Sequence, residues 1–227
     1  MSNSMNRVAA QDLVENQNLS VHASVSSILK RGMDIVLALV GLVFASPIML
    51  LIAILVKSSD RGAIVFAQSR VGLKGETFKC YKFRTMVMDA SEQLRHLLET
   101  DPEARREWES TQKLKNDPRI TPLGNFLRKS SLDELPQLLN ILRGEMSIVG
   151  PRPIVKSEIE KYGPFYPAYA AVRPGLTGLW QVNGRSNTEY DQRVQLDRAY
   201  TENWSMRSDI AIVAKTIPAL LFSRGAV

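Results

Sequence analysis

Residues 128–137 place two adjacent carboxylates, Asp133 and Glu134, about one turn downstream of two cations, Arg128 and Lys129. A carboxylate beside such cations stays ionised and can ligate Mg²⁺. It can also attack phosphorus, as aspartates do in aspartyl-phosphate chemistry. The bland alternative is a solvated first helical turn; Pro136 is tolerated if a helix begins there. Gly150-Pro151-Arg152-Pro153 is a rigid arginine mount, because two prolines fix φ on either side of Arg152. A guanidinium held this way offers a planar fork of donors to a phosphate. Arg173-Pro174-Gly175-Leu176-Thr177-Gly178, followed by Gln181-Val182-Asn183-Gly184-Arg185, is a second loop of this kind. Its glycines let backbone amides approach an anion, although Gly-rich loops are common. Lys82-Phe83-Arg84-Thr85 reads as a strand with a cationic face turned to headgroups or substrate, or as a solvated edge.

Composition narrows what these residues can do. The chain has 227 residues with 29 Lys and Arg against 23 Asp and Glu, a net charge of +6. That favours an anionic partner: nucleic acid, anionic lipid or phosphate. Cys80 is the single cysteine, so a Cys-rich metal site and an intrachain disulfide are both excluded. The histidines, His22 and His96, are too few for a convincing His-based zinc site or serine triad. Aromatic residues make up 7% of the chain, thin for a base-stacking platform, and no nucleic-acid motif is present.

The elements that must carry the chemistry start in lipid. Ile35 to Val56 is an apolar run of 22 uncharged residues, roughly 33 Å as a helix and about the thickness of a bilayer core. Pro47 sits at its middle and removes the donor for the Val43 carbonyl, which Ser46 can partly satisfy. Lys30 and Arg31 precede the run; Lys57 and Arg61 follow it. Cations on both flanks suit a segment that dips in and returns, both ends cytoplasmic. A straight pass tolerating one proline stays open on these grounds. Residues 1–29 read as a loose polar tail. Ala63–Phe66 and Glu76–Phe83 read as strands around a turn at Gly72–Gly75. Met88–Lys115 reads as solvated helix interrupted near Asp101-Pro102, Leu132–Leu142 as a helix ending before Gly144, and Asn187–Trp204 as an amphipathic helix. Asp209–Phe222 is apolar but short, carries Lys215 and Pro218, and reads as interfacial or core-packed.

The ordered set Lys30-Arg31-Gly32-Met33-Asp34, Ala45-Ser46-Pro47, Tyr81 to Met86, Ser131 to Gln137, Gly150 to Pro153, and Arg173 to Gly178 through Gln181 to Arg185 resembles the monotopic phosphoglycosyl transferases of the bacterial sugar transferase family. The likeness covers about residues 29–224. Size and ending resemble minimal members that prime exopolysaccharide synthesis with galactose or glucose phosphate, without the additional membrane helices of larger ones. The resemblance implies an α+β fold. Its N-terminal re-entrant helix-break-helix at Ser46-Pro47 (residues 30–60) joins a small, mostly helical cytoplasmic catalytic domain (residues 61–227) with short strands and interfacial amphipathic helices.

It further implies a ping-pong reaction. Asp133 attacks the β-phosphate of a UDP-sugar, UMP leaves, and undecaprenyl phosphate takes the phospho-sugar. The expected cofactor is Mg²⁺ at Asp133, with Glu134 orienting the metal or acting as a base. Arg128, Arg185, Arg152, Arg173 and Gln181 are expected at phosphate and substrate, and Lys30 and Arg31 at the lipid interface. The expected location is the bacterial inner membrane with the active site on its cytoplasmic face, in contact with membrane lipids, without nucleic acid, and with a homodimer plausible. From a different class, the alternative is a single-pass anchored binding or scaffold protein for anionic partners.

Overall fold

The computed structural model describes residues 28–111, 114–183 and 190–221. Helix α1, Ile28–Asp60, is the one helix among them long and apolar enough to cross a membrane. It is followed by strands β1 (Val65–Val71) and β2 (Thr77–Phe83), helices α2 (Ala90–Thr100), α3 (Pro102–Thr111) and α4 (Pro122–Lys129), and a 3₁₀ turn, Leu132–Glu134. Then come α5 (Gln137–Arg143), β3 (Ser147–Val149), the short helices α6 (Ile159–Tyr162) and α7 (Tyr166–Ala170), β4 (Gly175–Thr177), α8 (Leu179–Asn183), α9 (Tyr190–Glu202) and α10 (Met206–Leu221). The expected mixture of many helices and few strands holds.

The expected break at Ser46-Pro47 does not divide the segment into two helices. Helical backbone runs through Pro47 from Ile28 to Asp60. The carbonyl that proline leaves without a donor is on Val43, and the Ser46 hydroxyl donates to it at 2.9 Å. Most of the apolar surface of α1 is uncovered, with Val43 and Phe44 69% and 82% exposed, unlike a helix buried in a soluble core.

Both ends of α1 are fastened to the same body of protein. Near its start, the Lys30 ammonium donates to Val149 O at 3.0 Å and to Asp209 Oδ2 at 2.7 Å. Asp34 Oδ1 accepts from Ser147 Oγ and Ile148 N, both at 2.9 Å. Ala38 joins a core with Leu138, Ile141, Met146, Val149 and Tyr200. Near its end, Ile52 and Val56 pack with Phe83 and Leu127, and Asp60 pairs with Arg84. These contacts correct the expectation that Lys30 and Arg31 reach lipid headgroups. Lys30 is 3% exposed, and Arg31 donates to Ile141 O and Leu142 O at 2.7 and 3.0 Å. The last carbonyls of a helix have no partner within it, and Arg31 satisfies those of α5.

Asp209 also accepts from Tyr200 Oη at 2.9 Å and Trp204 Nε1 at 3.0 Å. Asp209→Asn would remove the carboxylate that pairs with the buried Lys30 ammonium at 2.7 Å, a change that costs about 3–5 kcal/mol in such sites. The expected result is a melting temperature lower by roughly 10 °C. Arg198→Ala, which removes the exposed Arg198–Glu202 pair, should move it by no more than about 2 °C. Melting of both variants in nanodiscs, followed by circular dichroism, checks the contrast.

Strands β1 and β2 pair antiparallel, Val65 opposite Phe83 and Val71 opposite Thr77, while β3 and β4 pair parallel, Ser147 opposite Gly175 and Val149 opposite Thr177. The parallel pair brings the two arginine-bearing loops together. Gly150 N donates to Thr177 O at 2.9 Å, and Gly175 N donates to Pro151 O at 2.8 Å. A Cβ on Gly175 would sit 2.1 Å from Gly150 N, so only a residue without a side chain permits this approach.

Candidate active site

Asp133 and Glu134 sit on the 3₁₀ turn between α4 and α5 rather than within an α-helix, and Pro136 caps the start of α5. Ser131, which leads into the turn, has φ of +57°. A left-handed serine stores strain that surrounding contacts must hold, and such residues gather at functional sites. Asp133 is 7% exposed.

Lys82, at the end of β2, binds the pair. Its ammonium lies 2.6 Å from Glu134 Oε1 and 3.8 Å from Asp133 Oδ2. Asn140 of α5 fixes β2 against this turn, accepting from Tyr81 N at 3.0 Å and donating to Lys79 O at 2.7 Å.

The two carboxylates are driven apart in acidity. Burial pushes Asp133 up to about 6, and the neighbouring Glu134 charge adds to this, while Lys82 and Arg128 oppose it. Burial also acts to raise Glu134, but Lys82, Arg152 and Arg70 outweigh it and hold its carboxyl below the usual range. Two adjacent acids with opposite shifts are suited to different tasks. Glu134, already ionised and hydrogen-bonded to Lys82, makes a poor proton acceptor near neutrality.

An open cleft adjoins the pair. Its lining includes Arg70, Lys82, Glu134, Gln137, Arg152 and Gln181. Arg70 is steered into place by Pro153 O at 3.0 Å, Gln68 Oε1 at 2.6 Å and Glu158 at 3.8 Å. Three cations on one wall suit a ligand with several negative charges.

Of the residues singled out in the sequence, Glu134, Arg152 and Gln181 line the cleft, and Asp133 is linked to it through Lys82 at 3.8 Å. Arg128, in the last turn of α4, donates from Nε to Thr85 Oγ1 at 2.9 Å, and its charge acts on Asp133. Gly124 makes this possible: a Cβ there would lie 2.0 Å from Thr85 O. Arg173 is a correction. Its Nε donates to Gly144 O at 2.7 Å, so it joins Arg31 in satisfying the carbonyl end of α5 rather than facing the cleft. Arg185 lies outside the described residues. Lys82 and Arg70 are cleft residues to which the sequence reading gives no role of their own. The cationic face read from Lys82 to Thr85 was the one signal for Lys82, and Arg70 offered none.

Among the described residues, no group of three or more His, Cys, Asp or Glu side chains could hold a metal ion. An ion of the Mg²⁺ type commonly takes one or two protein carboxylates and completes its shell with substrate phosphates and water. The Asp133–Glu134 pair beside a phosphate-friendly wall fits that arrangement.

Comparison with known proteins identifies the family. The profile of the family described as bacterial sugar transferase matches residues 25–223. The exopolysaccharide production protein ExoY of Sinorhizobium fredii is 51% identical over 201 residues, covering 88% of this chain and 89% of that protein. The undecaprenyl-phosphate galactose phosphotransferase of Salmonella typhimurium is 51% identical over 201 residues, 88% of this chain and 42% of that one. The UDP-glucose:undecaprenyl-phosphate glucose-1-phosphate transferase of Escherichia coli is 41% identical over 203 residues, 86% of this chain and 40% of that one. The chain thus spans nearly all of the first relative and about two-fifths of the other two.

Proposed function

The chain is a phosphoglycosyl transferase belonging to the bacterial sugar transferase family, and from that premise we propose that it moves a hexose 1-phosphate, of galactose or glucose type, from a UDP-sugar to undecaprenyl phosphate and releases UMP. One observation carries the reading: an Asp133–Glu134 pair gathered by Lys82 beside a cleft walled by Arg70 and Arg152. Membership of an enzyme family sets aside the anchored binding protein.

The cation wall receives the diphosphate. An Asp133 oxygen attacks the β-phosphorus. The bond from that phosphorus to the oxygen it shares with the α-phosphate breaks, and UMP leaves with the electron pair. A phosphate oxygen of undecaprenyl phosphate then attacks the same phosphorus, and the acyl phosphate bond breaks to return the Asp133 carboxylate. Arg128 and Lys82 offset the charge of Asp133, and Glu134 holds Lys82 in place rather than taking a proton. Asp133 would hold Mg²⁺, which when bound neutralises diphosphate charge.

The membrane arrangement belongs to the same proposal. Both ends of α1 lie on the cytoplasmic face, and the helix enters one leaflet. Support comes from the fastening of Lys30 to Val149 and Asp209, and of Asp60 to Arg84, on one body of protein. A straight crossing would put these contacts on opposite sides of the hydrocarbon and force polar loops through it. Exposed Phe126 on α4, Leu139 on α5 and Ile210 and Ile217 on α10 add apolar surface for an interfacial seat. Cysteines introduced at Leu29 and Ala63 should both react with an impermeant maleimide only when it is given access to the cytoplasmic side. Labelling of one site from each side contradicts the arrangement.

Purified enzyme in nanodiscs, given UDP-galactose and UDP-glucose separately with undecaprenyl phosphate and Mg²⁺, tests the reaction. The expected products are UMP and a lipid-linked diphosphosugar in equal amounts. Release of UDP in place of UMP would show transfer of the sugar alone and defeat the proposal.

A further inference from the structure

Arg152 reaches the cleft on a side chain with several free torsions, and the prolines at 151 and 153 fix only its backbone. Among the described residues its guanidinium makes no hydrogen bond; its charge acts on Glu134 and Asp197, and it has an aromatic face. The guanidinium carbon lies 5.4 Å from the centre of the Trp180 ring, and that of Arg193 lies 5.3 Å from the same ring. Trp180 Nε1 is buried and has no hydrogen-bond partner among the described residues, so its N–H does not account for a tryptophan here.

The second cation on that ring is held from behind. Arg193 is 8% exposed. It lies 3.4 Å from Glu158 and 3.9 Å from Asp197, and 5.1 Å from the Tyr190 ring centre. Asp197 accepts from Tyr162 Oη at 2.7 Å. Two carboxylates thus outweigh the single positive charge of Arg193, so it braces the indole without driving Arg152 off. Arginine over an indole face is an attractive arrangement that strengthens as water is excluded, and it leaves the donors of the guanidinium edge for a ligand.

We propose that Trp180 is a positioning residue that holds the Arg152 guanidinium in the cleft for the diphosphate of the nucleotide sugar, with the Arg193–Glu158–Asp197 group as its brace. This rests on the role given to Arg152 in the proposed function. Of the two arginines that line the cleft, Arg152 is the one with an aromatic neighbour. Removing the ring face should therefore act through Arg152 and not beside it.

The test uses UDP, which carries the diphosphate whichever sugar is the substrate. UDP affinity is measured by calorimetry in nanodiscs for wild type, Arg152→Ala, Trp180→Leu, Trp180→Phe and the double variant Arg152→Ala/Trp180→Leu. Melting curves accompany each, and Trp180→Met replaces Trp180→Leu if the latter melts early. Trp180→Leu should weaken UDP binding about tenfold, and Trp180→Phe, which keeps a π face, by no more than about threefold. In the Arg152→Ala background, Trp180→Leu should add less than about twofold. Equal losses in both backgrounds, or Phe as damaging as Leu, overturn the inference. Failure of wild type to bind UDP, or a silent Arg152→Ala, overturns the reading of Arg152 beneath it and the inference with it.

Discussion

Asp133→Asn is expected to abolish turnover, by at least about a thousandfold, while the protein still folds and enters the membrane. Asn keeps the shape of the side chain but has no anionic oxygen with which to form an acyl phosphate or to hold Mg²⁺. The same substitution should stabilise the metal-free protein. Asp133 ionises at about 6 in the folded state against 3.8 for the ordinary carboxyl. The folded state therefore binds more protons than the unfolded state between these values. The contribution of Asp133 is at its best below about pH 4 and is lost as pH rises through about 6. Above that, burying the charge costs on the order of 2–3 kcal/mol, which Asn escapes. In EDTA, Asp133→Asn should melt several degrees above wild type at pH 7.5, with the gap closing near pH 4. Lost activity with a lower melting temperature at both pH values would point to damage instead of a missing nucleophile.

Lys82→Met carries the second large effect. Its ammonium lies within 4 Å of both carboxylates and is the largest influence opposing the burial of Asp133. Without it, two neighbouring carboxylates face each other with less compensation, and the ionised form of Asp133 becomes harder to reach. UMP release at pH 7 should fall about a hundredfold, and the acid limb of its pH profile should move upward from near 6. Lys82→Arg, which keeps the charge, should return the limb towards wild type. Profiles measured at one fixed Mg²⁺ concentration make the comparison. A limb that stays in place in Lys82→Met would mean that Lys82 does not set the ionisation of Asp133.

How much of this was readable from sequence follows from the range of each contact. The carboxylate pair, the rigid Arg152 mount, the β2 bounds and the interruption between α2 and α3 at Asp101-Pro102 are written in neighbouring residues. Turn chemistry and proline geometry made them legible. Lys82 reaches Glu134 across 52 positions, and Lys30 reaches Asp209 across 179. No local pattern marks either partnership. Lys30 and Arg31 looked like headgroup anchors because they flank an apolar run. The fold turns them inward because Asp209 and the end of α5 need cations. Arg173 misled in the same way, since a loop arginine beside Pro and Gly reads alike whether it meets a phosphate or a helix carbonyl. The three-residue strands β3 and β4 are too short for alternation to register, so the pairing that joins the two arginine loops was invisible.

The central claim is that Asp133 takes the phospho-sugar covalently before the lipid acceptor acts, and the acid-quenched first half-reaction tests it most directly. Wild-type enzyme in nanodiscs is mixed with UDP-sugar and Mg²⁺ in the absence of undecaprenyl phosphate, then quenched. Released UMP is counted against active sites, and the peptide carrying Asp133 is weighed by mass spectrometry. The account predicts a burst of up to about one UMP per site, the mass of a phospho-hexose on that peptide, and neither signal in Asp133→Asn. UMP that appears only once undecaprenyl phosphate is added, or a burst that persists in Asp133→Asn, would contradict it.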